Sequence, residues 1–310
     1  MWQRRVEEVA LEVRRRAFEH SLRRHGGYLS QACSAAEILS VLYLELLQLD
    51  GSEAPKSPLP YPGPPRFDRS ISRPGGAYHG PRGPHLDRLI VSAGRYALAL
   101  YAVLAEVGRI SPTALRRFAA EGGGLDEIGA PHCPGFEVPA GVPGQGIATA
   151  VGIAQGRKLR GENGRVWVFA EAAEFDRPLV LDALRLACQQ QLSNLALFID
   201  HRAGSAPRLP EKLEALEMLG ATTVAVPGHD PMSLVAAGRT QVDLGPLLVR
   251  AETDPARGIQ ALQTLTSSLE RVSLPASRAT IRLEAAIRAE LFTKTPSLLQ
   301  ERVERERPAQ

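Results

Sequence analysis

Five short apolar runs alternate with helix-length segments, and this alternation is the feature that most constrains the fold. The runs have strand length and lie at residues 89–91, 165–170, 195–199, 222–226 and 246–249. Continuous apolar strands are typical of sheets buried on both faces, and strands that alternate with helices pair in parallel. The sequence therefore predicts an α/β fold in which a parallel sheet is flanked by helices.

Two further helices are expected ahead of the first strand. Residues 3–24 carry apolar side chains at three- and four-residue steps, which is typical of an amphipathic helix. Ser34 is followed three residues later by Glu37, a spacing that predicts a capping box and a helix over residues 35–47. Residues 51–85 hold nine prolines and six glycines, which predicts an exposed loop or insert.

The chain has 310 residues, and we expect one α/β domain over residues 1–255, followed by a helical extension and a charged tail. The extension covers residues 256–300 and the tail residues 301–310. Apolar stripes in the extension are expected to pack against the core or against a second chain. No apolar run reaches the roughly 18–20 residues that span a bilayer, so no membrane association is expected.

Charge and cysteine content exclude several functional classes. The net charge is +3, from 37 basic and 34 acidic residues, which gives no reason to expect a nucleic-acid partner. The N-terminus lacks an apolar signal core. Cys33, Cys133 and Cys188 lie far apart and form neither a disulfide framework nor a paired metal motif. We therefore expect a cytoplasmic protein with inert, reduced thiols.

Several segments, in this order, resemble the thiamine-diphosphate-binding domain that forms the N-terminal half of transketolases. They are GYL at residues 27–29 with SAAEIL at 34–39, VSAG at 91–94, PGFE at 134–137 with GVPGQGIATAVG at 141–152, RVWVF at 165–169 and NLALFID at 194–200. The resemblance covers roughly residues 10–252. Its most specific part is the glycine segment, whose candidate cofactor residues are Gly141, Val142, Pro143, Gly144, Gln145 and Gly146.

The resemblance implies a parallel sheet whose strand-end loops bind thiamine diphosphate and a divalent metal such as Mg²⁺. The family reaction transfers a two-carbon ketol unit between sugar phosphates, and it needs a second, pyrimidine-binding domain. This chain is expected to have no room for that domain. The resemblance therefore predicts either a homo-oligomer or a partner chain that carries the pyrimidine-binding domain.

The diphosphate and metal positions of the family are altered in this sequence. The family places Gly-Asp-Gly-Glu after one strand and a metal-binding Asn after the next. An ungapped alignment puts Glu171, Ala172, Ala173 and Glu174 under the first motif and Arg202 under the Asn. Both metal ligands and both phosphate-binding glycines are therefore missing. A one-residue shift would instead keep Glu171 as a single ligand.

Three family histidines, which assist proton transfer and bind sugars and phosphates, are also replaced. Their positions hold Tyr28, Arg95 and Glu127. Tyrosine and arginine do not titrate near neutral pH and cannot replace histidine in proton transfer. His132 and His201 lie close in sequence, but lone loop histidines are expected to be surface or structural residues.

These losses lead to three alternative functions. The first is a non-catalytic or strongly diverged transketolase-like subunit, a pseudoenzyme with a scaffolding or regulatory role and no cofactor. In it, Arg202 would pair internally with Glu171 or Glu174, although solvated loop charges are also possible. The second is an active N-terminal half of a split transketolase, a transferase that binds thiamine diphosphate with Mg²⁺. The third is a binding module in which Arg95 and Arg202 clamp an anionic small molecule. The glycine segment is compatible both with cofactor binding and with helix packing.

Overall fold

The computed structural model describes five stretches of the chain: residues 1–24, 28–52, 54–60, 75–120 and 122–258. The charged tail, nearly all of the predicted helical extension and the centre of the proline-rich insert lie outside these described residues. The predictions made for those segments therefore stay predictions.

The five predicted strands form a single parallel sheet, which confirms the predicted fold class. Numbered in chain order, they are β1 (Arg88–Val91), β2 (Val166–Glu171), β3 (Leu195–Arg202), β4 (Thr222–Pro227) and β5 (Leu247–Thr253). Their order across the sheet is β1-β2-β3-β5-β4, and every neighbouring pair is parallel. All the carboxyl ends of the strands therefore lie along one edge of the sheet.

Helices cover both faces of the sheet. They are α1 (Trp2–Arg24), α2 (Leu29–Val41), α3 (Ala97–Glu106), α4 (Gln145–Leu159), α5 (Pro178–Gln189), α6 (Leu209–Glu217) and α7 (Pro231–Gly238). One core contains apolar residues of α1, α2, α3 and α7, and the other contains residues of α4, α5 and α6. Along β2, Trp167 and Phe169 enter the first core, while Val166 and Val168 enter the second. This alternation explains the long apolar runs of the central strands β2 and β3, whereas β4, at the edge of the sheet, is only partly buried.

The predicted start of the second helix is wrong. Helix α2 begins at Leu29, so Ser34 lies inside the helix rather than at its cap, and a π-helical turn follows from Leu42 to Leu46. Ser34 is fully buried, and its hydroxyl donates a hydrogen bond to Asp200 at 2.6 Å. Glu37 binds Arg14 instead of reaching back to the backbone. Both side chains of the predicted capping box therefore bind residues that are distant in sequence, Asp200 and Arg14.

Two other helices complete the comparison with the sequence. Helix α6 was not predicted, because it is short and begins with a proline among charged residues. Helix α7 is capped at its N-terminus by the Asp230 side chain, which accepts the Ser233 amide at 3.0 Å. None of the helices in the described stretches is long and apolar enough to cross a membrane.

Candidate functional site

The carboxyl-terminal edge of the sheet brings together the polar residues that the sequence singled out. Glu171 is the last residue of β2 and Arg202 the last of β3, while Thr253 ends β5 and Ser92 follows β1. In α/β sheets, ligands bind in the crevice beyond these strand ends. This edge is therefore the candidate functional site.

Glu171, Arg202 and Arg95 form a charge cluster at this edge, called here the Glu171 cluster. Arg202 Nη2 donates a hydrogen bond to Glu171 Oε1, and Arg95 Nη2 lies 2.7 Å from Glu171 Oε2. The Glu171 side chain is only 1% exposed, against 18% for Arg202 and 40% for Arg95. Among the residues that the structure describes, none donates an aligned hydrogen bond to Oε2, so the contact with Arg95 is an ion pair. The predicted contact between Arg202 and Glu171 is thus present, whereas Glu174 is bound elsewhere.

Electrostatics at the cluster favour the charged form of Arg202. Burial alone would lower the pKa of Arg202, but the surrounding Tyr96, Glu171 and Asp200 outweigh that effect and raise it. Arg202 is therefore a permanent cation with its partner already supplied by the chain. An incoming anion would have to displace Glu171 from both arginines.

Glu174 is a buried acceptor for three parts of the site. Its Oε1 accepts the Ser92 hydroxyl at 2.6 Å and the Gly144 amide at 2.7 Å, and its Oε2 accepts the Glu171 amide at 2.9 Å. Burial raises the pKa of Glu174 against the opposing effect of these donors. The side chain connects the end of β2, the segment after β1 and the start of α4. Its position explains why it can be retained without a cofactor.

Asp200 lies one strand further along the edge and is fully buried. Its Oδ2 accepts the hydroxyls of Ser34 and Tyr96, both at 2.6 Å, and its Oδ1 accepts that of Thr253 at 2.5 Å. Burial and the nearby Asp200 carboxylate raise the pKa of Tyr96 well above its ordinary value. Sequence reasoning did not assign Asp200 to the site. The signal was present, since a carboxylate directly after an apolar strand needs buried donors.

The retained glycine segment has a packing role in this structure. Gly144 has φ +85°, a left-handed conformation, and it precedes the first residue of α4. A Cβ on Gly146 would lie 2.6 Å from the Ser92 Cα, so only glycine lets α4 approach the segment after β1. Gly141 and Val142, by contrast, are not closely packed. A Cβ on Gly141 would meet nothing within 4 Å, and Val142 is 58% exposed.

The three residues that replace the family histidines lie in different surroundings. Tyr28 precedes α2 in a left-handed conformation, and Glu127 is exposed. Arg95 belongs to the Glu171 cluster. His201 hydrogen-bonds the Ser205 carbonyl at 2.9 Å, which is the structural role expected of it.

The donor set at the strand ends does not fit a divalent metal with a diphosphate. The aligned metal position, Ala172, is fully buried and has no ligand atom, and Arg202 stands where an amide oxygen would bind the metal. Glu171, the single ligand that the shifted alignment would keep, forms ion pairs with the guanidinium groups of Arg95 and Arg202. Within the described stretches, the single group of three potential metal ligands lies elsewhere, at Asp126, His132 and Cys133.

A buried ion network also links helices α1 and α2 to the turn before α7. Arg14 donates to both Glu37 oxygens, at 2.8 and 2.5 Å, and His229 Nδ1 lies 2.9 Å from Oε2 of the same carboxylate. The Asp254 amide donates to His229 Nε2 at 2.8 Å, which assigns the proton to Nδ1. Burial would raise the pKa of Glu37, but Arg14 and His229 outweigh it and lower this pKa to about 2.

Comparison with protein families gives a match to "Transketolase, thiamine diphosphate binding domain" over residues 78–205. Human transketolase-like protein 2 is 30% identical over 247 residues, which cover 76% of this chain and 35% of that protein. The uncharacterized transketolase family protein y4mO of Sinorhizobium fredii is 27% identical over 267 residues, which cover 83% of this chain and 86% of that protein. This chain thus spans about a third of the human relative and most of the bacterial one.

Solved structures show the same fold. The transketolase of Campylobacter jejuni superposes with a TM-score of 0.62 at 19% identity, over 97% of this chain and 48% of that one. A Pichia stipitis transketolase in complex with xylulose 5-phosphate gives a TM-score of 0.65 at 17% identity, over 97% and 46% of the two chains. These similarities confirm a thiamine-diphosphate-binding fold.

Proposed function

Because this chain carries a transketolase-family N-terminal domain, we propose that it is a transketolase-like subunit that does not bind thiamine diphosphate and has a scaffolding or regulatory role. The observation that carries this proposal is the Glu171 cluster. The Arg202 guanidinium stands at the aligned metal-ligand position and already holds a buried carboxylate. The chain's own ions therefore take the electrostatic places of the metal and the phosphate.

Charge balance supports this proposal. A diphosphate with its metal would need Arg202 and Glu171 to separate, which would leave a carboxylate that is 1% exposed without its main partner. Removing one partner of a buried pair costs roughly 3–5 kcal/mol. Ala173, at the second phosphate-binding glycine, also adds a Cβ where the family backbone approaches the phosphates. The free-energy cost of separating Arg202 from Glu171 and the missing metal ligands both disfavour cofactor binding.

We also propose that the subunit works in an oligomer. The family matches extend over about a third to two fifths of the full-length human transketolases, and the remaining length carries other parts of those proteins. Val142 and Ile128 are exposed apolar residues near this edge of the sheet, 58% and 41% accessible. They suit contact with a second copy or with a chain that carries a pyrimidine-binding domain.

An active half of a split enzyme is the second candidate. It is favoured by the 86% coverage of protein y4mO, because that relative is also about half as long as a transketolase. It requires metal ligands from outside the positions aligned with the family. Cofactor binding distinguishes this candidate from the non-binding subunit: an active half should bind thiamine diphosphate either alone or together with a pyrimidine-binding chain.

Thermal unfolding with and without thiamine diphosphate and Mg²⁺ tests the proposal. A ligand that binds the folded state raises the melting temperature, and the increase grows with the logarithm of ligand concentration above the dissociation constant. We expect no shift for the native sequence. The matched variant Glu171→Gly/Ala172→Asp/Ala173→Gly/Arg202→Asn restores the family residues and is the comparison most able to gain a shift. A saturable increase in the native protein would overturn the proposal and favour the split enzyme.

A further inference from the structure

Asp126, His132 and Cys133 converge in the loop that precedes α4. Their potential ligand atoms all lie within 4.8 Å of one another, and His132 Nε2 is 2.8 Å from Asp126 Oδ2. Cys133 is fully buried, the His132 side chain is 16% exposed and the Asp126 side chain is 48% exposed. The three ligands therefore differ in exposure, from the fully buried thiol of Cys133 to the half-exposed carboxylate of Asp126.

The backbone around these residues is fixed by contacts of its own. The Cys133 amide donates to the Ala130 carbonyl at 2.8 Å, and the Gly75 amide donates to the Pro131 carbonyl at 2.6 Å. The Tyr101 hydroxyl donates to the Asp126 carbonyl at 3.2 Å. Both ends of the group are thus held in place by the fold. An ion would find the ligands already gathered, and little ordering entropy would oppose its binding.

We propose that Asp126, His132 and Cys133 form a binding site for a divalent transition-metal ion, with Zn²⁺ as the best match. A thiolate, an imidazole and a carboxylate are the three ligand types that zinc uses. Tetrahedral coordination at ordinary zinc–ligand distances sets the ligand atoms roughly 3.3–3.8 Å apart. The separation of His132 Nε2 from Asp126 Oδ2, 2.8 Å, is shorter than this range, and the remaining ligand atoms lie within 4.8 Å of one another. A small rotation of the exposed Asp126 side chain is enough to open the 2.8 Å contact.

The three ligands also determine which metal ions the site selects against and how many coordination positions remain free. Mg²⁺ prefers oxygen ligands in octahedral geometry, so the thiol and imidazole select against it. Binding replaces the thiol proton of Cys133, which leaves to solvent, and breaks the hydrogen bond between His132 and Asp126. Three protein ligands leave a fourth position for water, the arrangement of open zinc sites. Asp126 supplies the entry path from solvent.

This metal site is separate from the Glu171 cluster but connected to it through the backbone. The Gly129 amide, inside the ligand loop, donates to the Gly94 carbonyl at 3.0 Å, and Gly94 directly precedes Arg95. A bound ion would therefore rigidify the loop beside the candidate functional site. The proposal does not depend on the absence of thiamine diphosphate.

The experiment is a metal titration of tag-free protein, with Zn²⁺ in competition with a chromophoric chelator and with Co²⁺ as a spectroscopic substitute. We expect one equivalent of either ion and a sulfur-to-cobalt charge-transfer band in the near ultraviolet. Cys133→Ser should remove that band, and Asp126→Asn should weaken Zn²⁺ binding by about tenfold or more.

Two control variants make the result specific. Cys188→Ser changes another buried free thiol, and Asp182→Asn changes an exposed carboxylate; neither should alter the titration. Because Cys133 is buried and its variant can fail to fold, the half-exposed Asp126 provides the independent test. The proposal is overturned if the native protein shows no charge-transfer band, or if Zn²⁺ affinity is unchanged in Asp126→Asn.

Discussion

Arg202 Nη2 donates a hydrogen bond to Glu171 Oε1, joining the last residue of β3 to the last residue of the neighbouring strand β2. The two strands pair in parallel, so their final residues project beyond the same edge of the sheet. The ungapped alignment places these two residues at a phosphate-binding glycine and at a metal-binding Asn of the family pattern. Here the same positions carry a guanidinium and a carboxylate that neutralise each other.

The first prediction concerns the energy of this contact. Arg202→Leu leaves Glu171 with the half-exposed Arg95 alone, and we expect the free energy of unfolding to fall by about 1–3 kcal/mol. This is less than the roughly 3–5 kcal/mol of a fully buried broken pair, because Arg95 still lies 2.7 Å from the carboxylate. Urea denaturation measures the change.

A surface pair is the control for this experiment. Arg208 and Glu211 have side chains 77% and 67% exposed, so Arg208→Leu should change the unfolding free energy by less than about 1 kcal/mol. Adding Glu171→Leu to Arg202→Leu should recover part of the lost stability, because no uncompensated buried charge remains. Equal losses at Arg202 and Arg208 would contradict the account.

The second prediction separates two glycines of α4. Gly146→Ala would place a Cβ 2.6 Å from the Ser92 Cα, and we expect a loss of about 1–3 kcal/mol. Gly152→Ala meets nothing within 4 Å at an exposed helix position, and we expect a gain of about 0.5–1 kcal/mol. Guanidinium denaturation of both variants checks the opposite signs. Similar effects would mean that the glycine segment is not retained for packing.

The third prediction concerns acid stability. Arg14 and His229 outweigh burial and lower the pKa of Glu37 from 4.5 to about 2. A lowered carboxyl pKa contributes stability above the unfolded value, and that contribution is lost as pH falls from about 4.5 towards 2. Glu37→Gln should therefore be a few kcal/mol less stable than the native protein near neutral pH. The difference should shrink as pH falls from about 4.5 towards 2, because the carboxyl of the unfolded chain is protonated in this range before that of the folded protein.

Denaturation curves at a series of pH values measure this difference. Glu211→Gln, at an exposed carboxylate, is the matched control and should track the native protein at every pH. A gap between the native protein and Glu37→Gln that stays constant from pH 7 to pH 2 would refute the assigned role of Glu37.

The sequence was most informative where local pattern and burial coincide. The central strands were found because apolar runs such as residues 195–199 are buried on both faces. The position of β5 between β3 and β4 was not predicted, since strand order depends on packing of distant segments. Ser34 illustrates the opposite case. Its spacing to Glu37 satisfied a local rule, but Asp200 and Arg14 bind the two side chains inside the core.

The candidate site was partly predictable for the same reason. Arg202 and Glu171 end consecutive strands along the chain, so a parallel sheet brings them together. The hydrogen bond from Thr253 to Asp200 spans strands 53 residues apart in sequence. Asp126, His132 and Cys133 lie in an irregular loop, where no periodicity reports which side chains meet.

The most direct measurement is isothermal titration calorimetry of thiamine diphosphate into the native protein in the presence of Mg²⁺. We predict no saturable heat, because in the proposed function Arg202 and Glu171 pair with each other at the positions aligned with the family's metal and diphosphate site. Saturable binding with micromolar affinity in the native sequence, with one cofactor per chain, would contradict it.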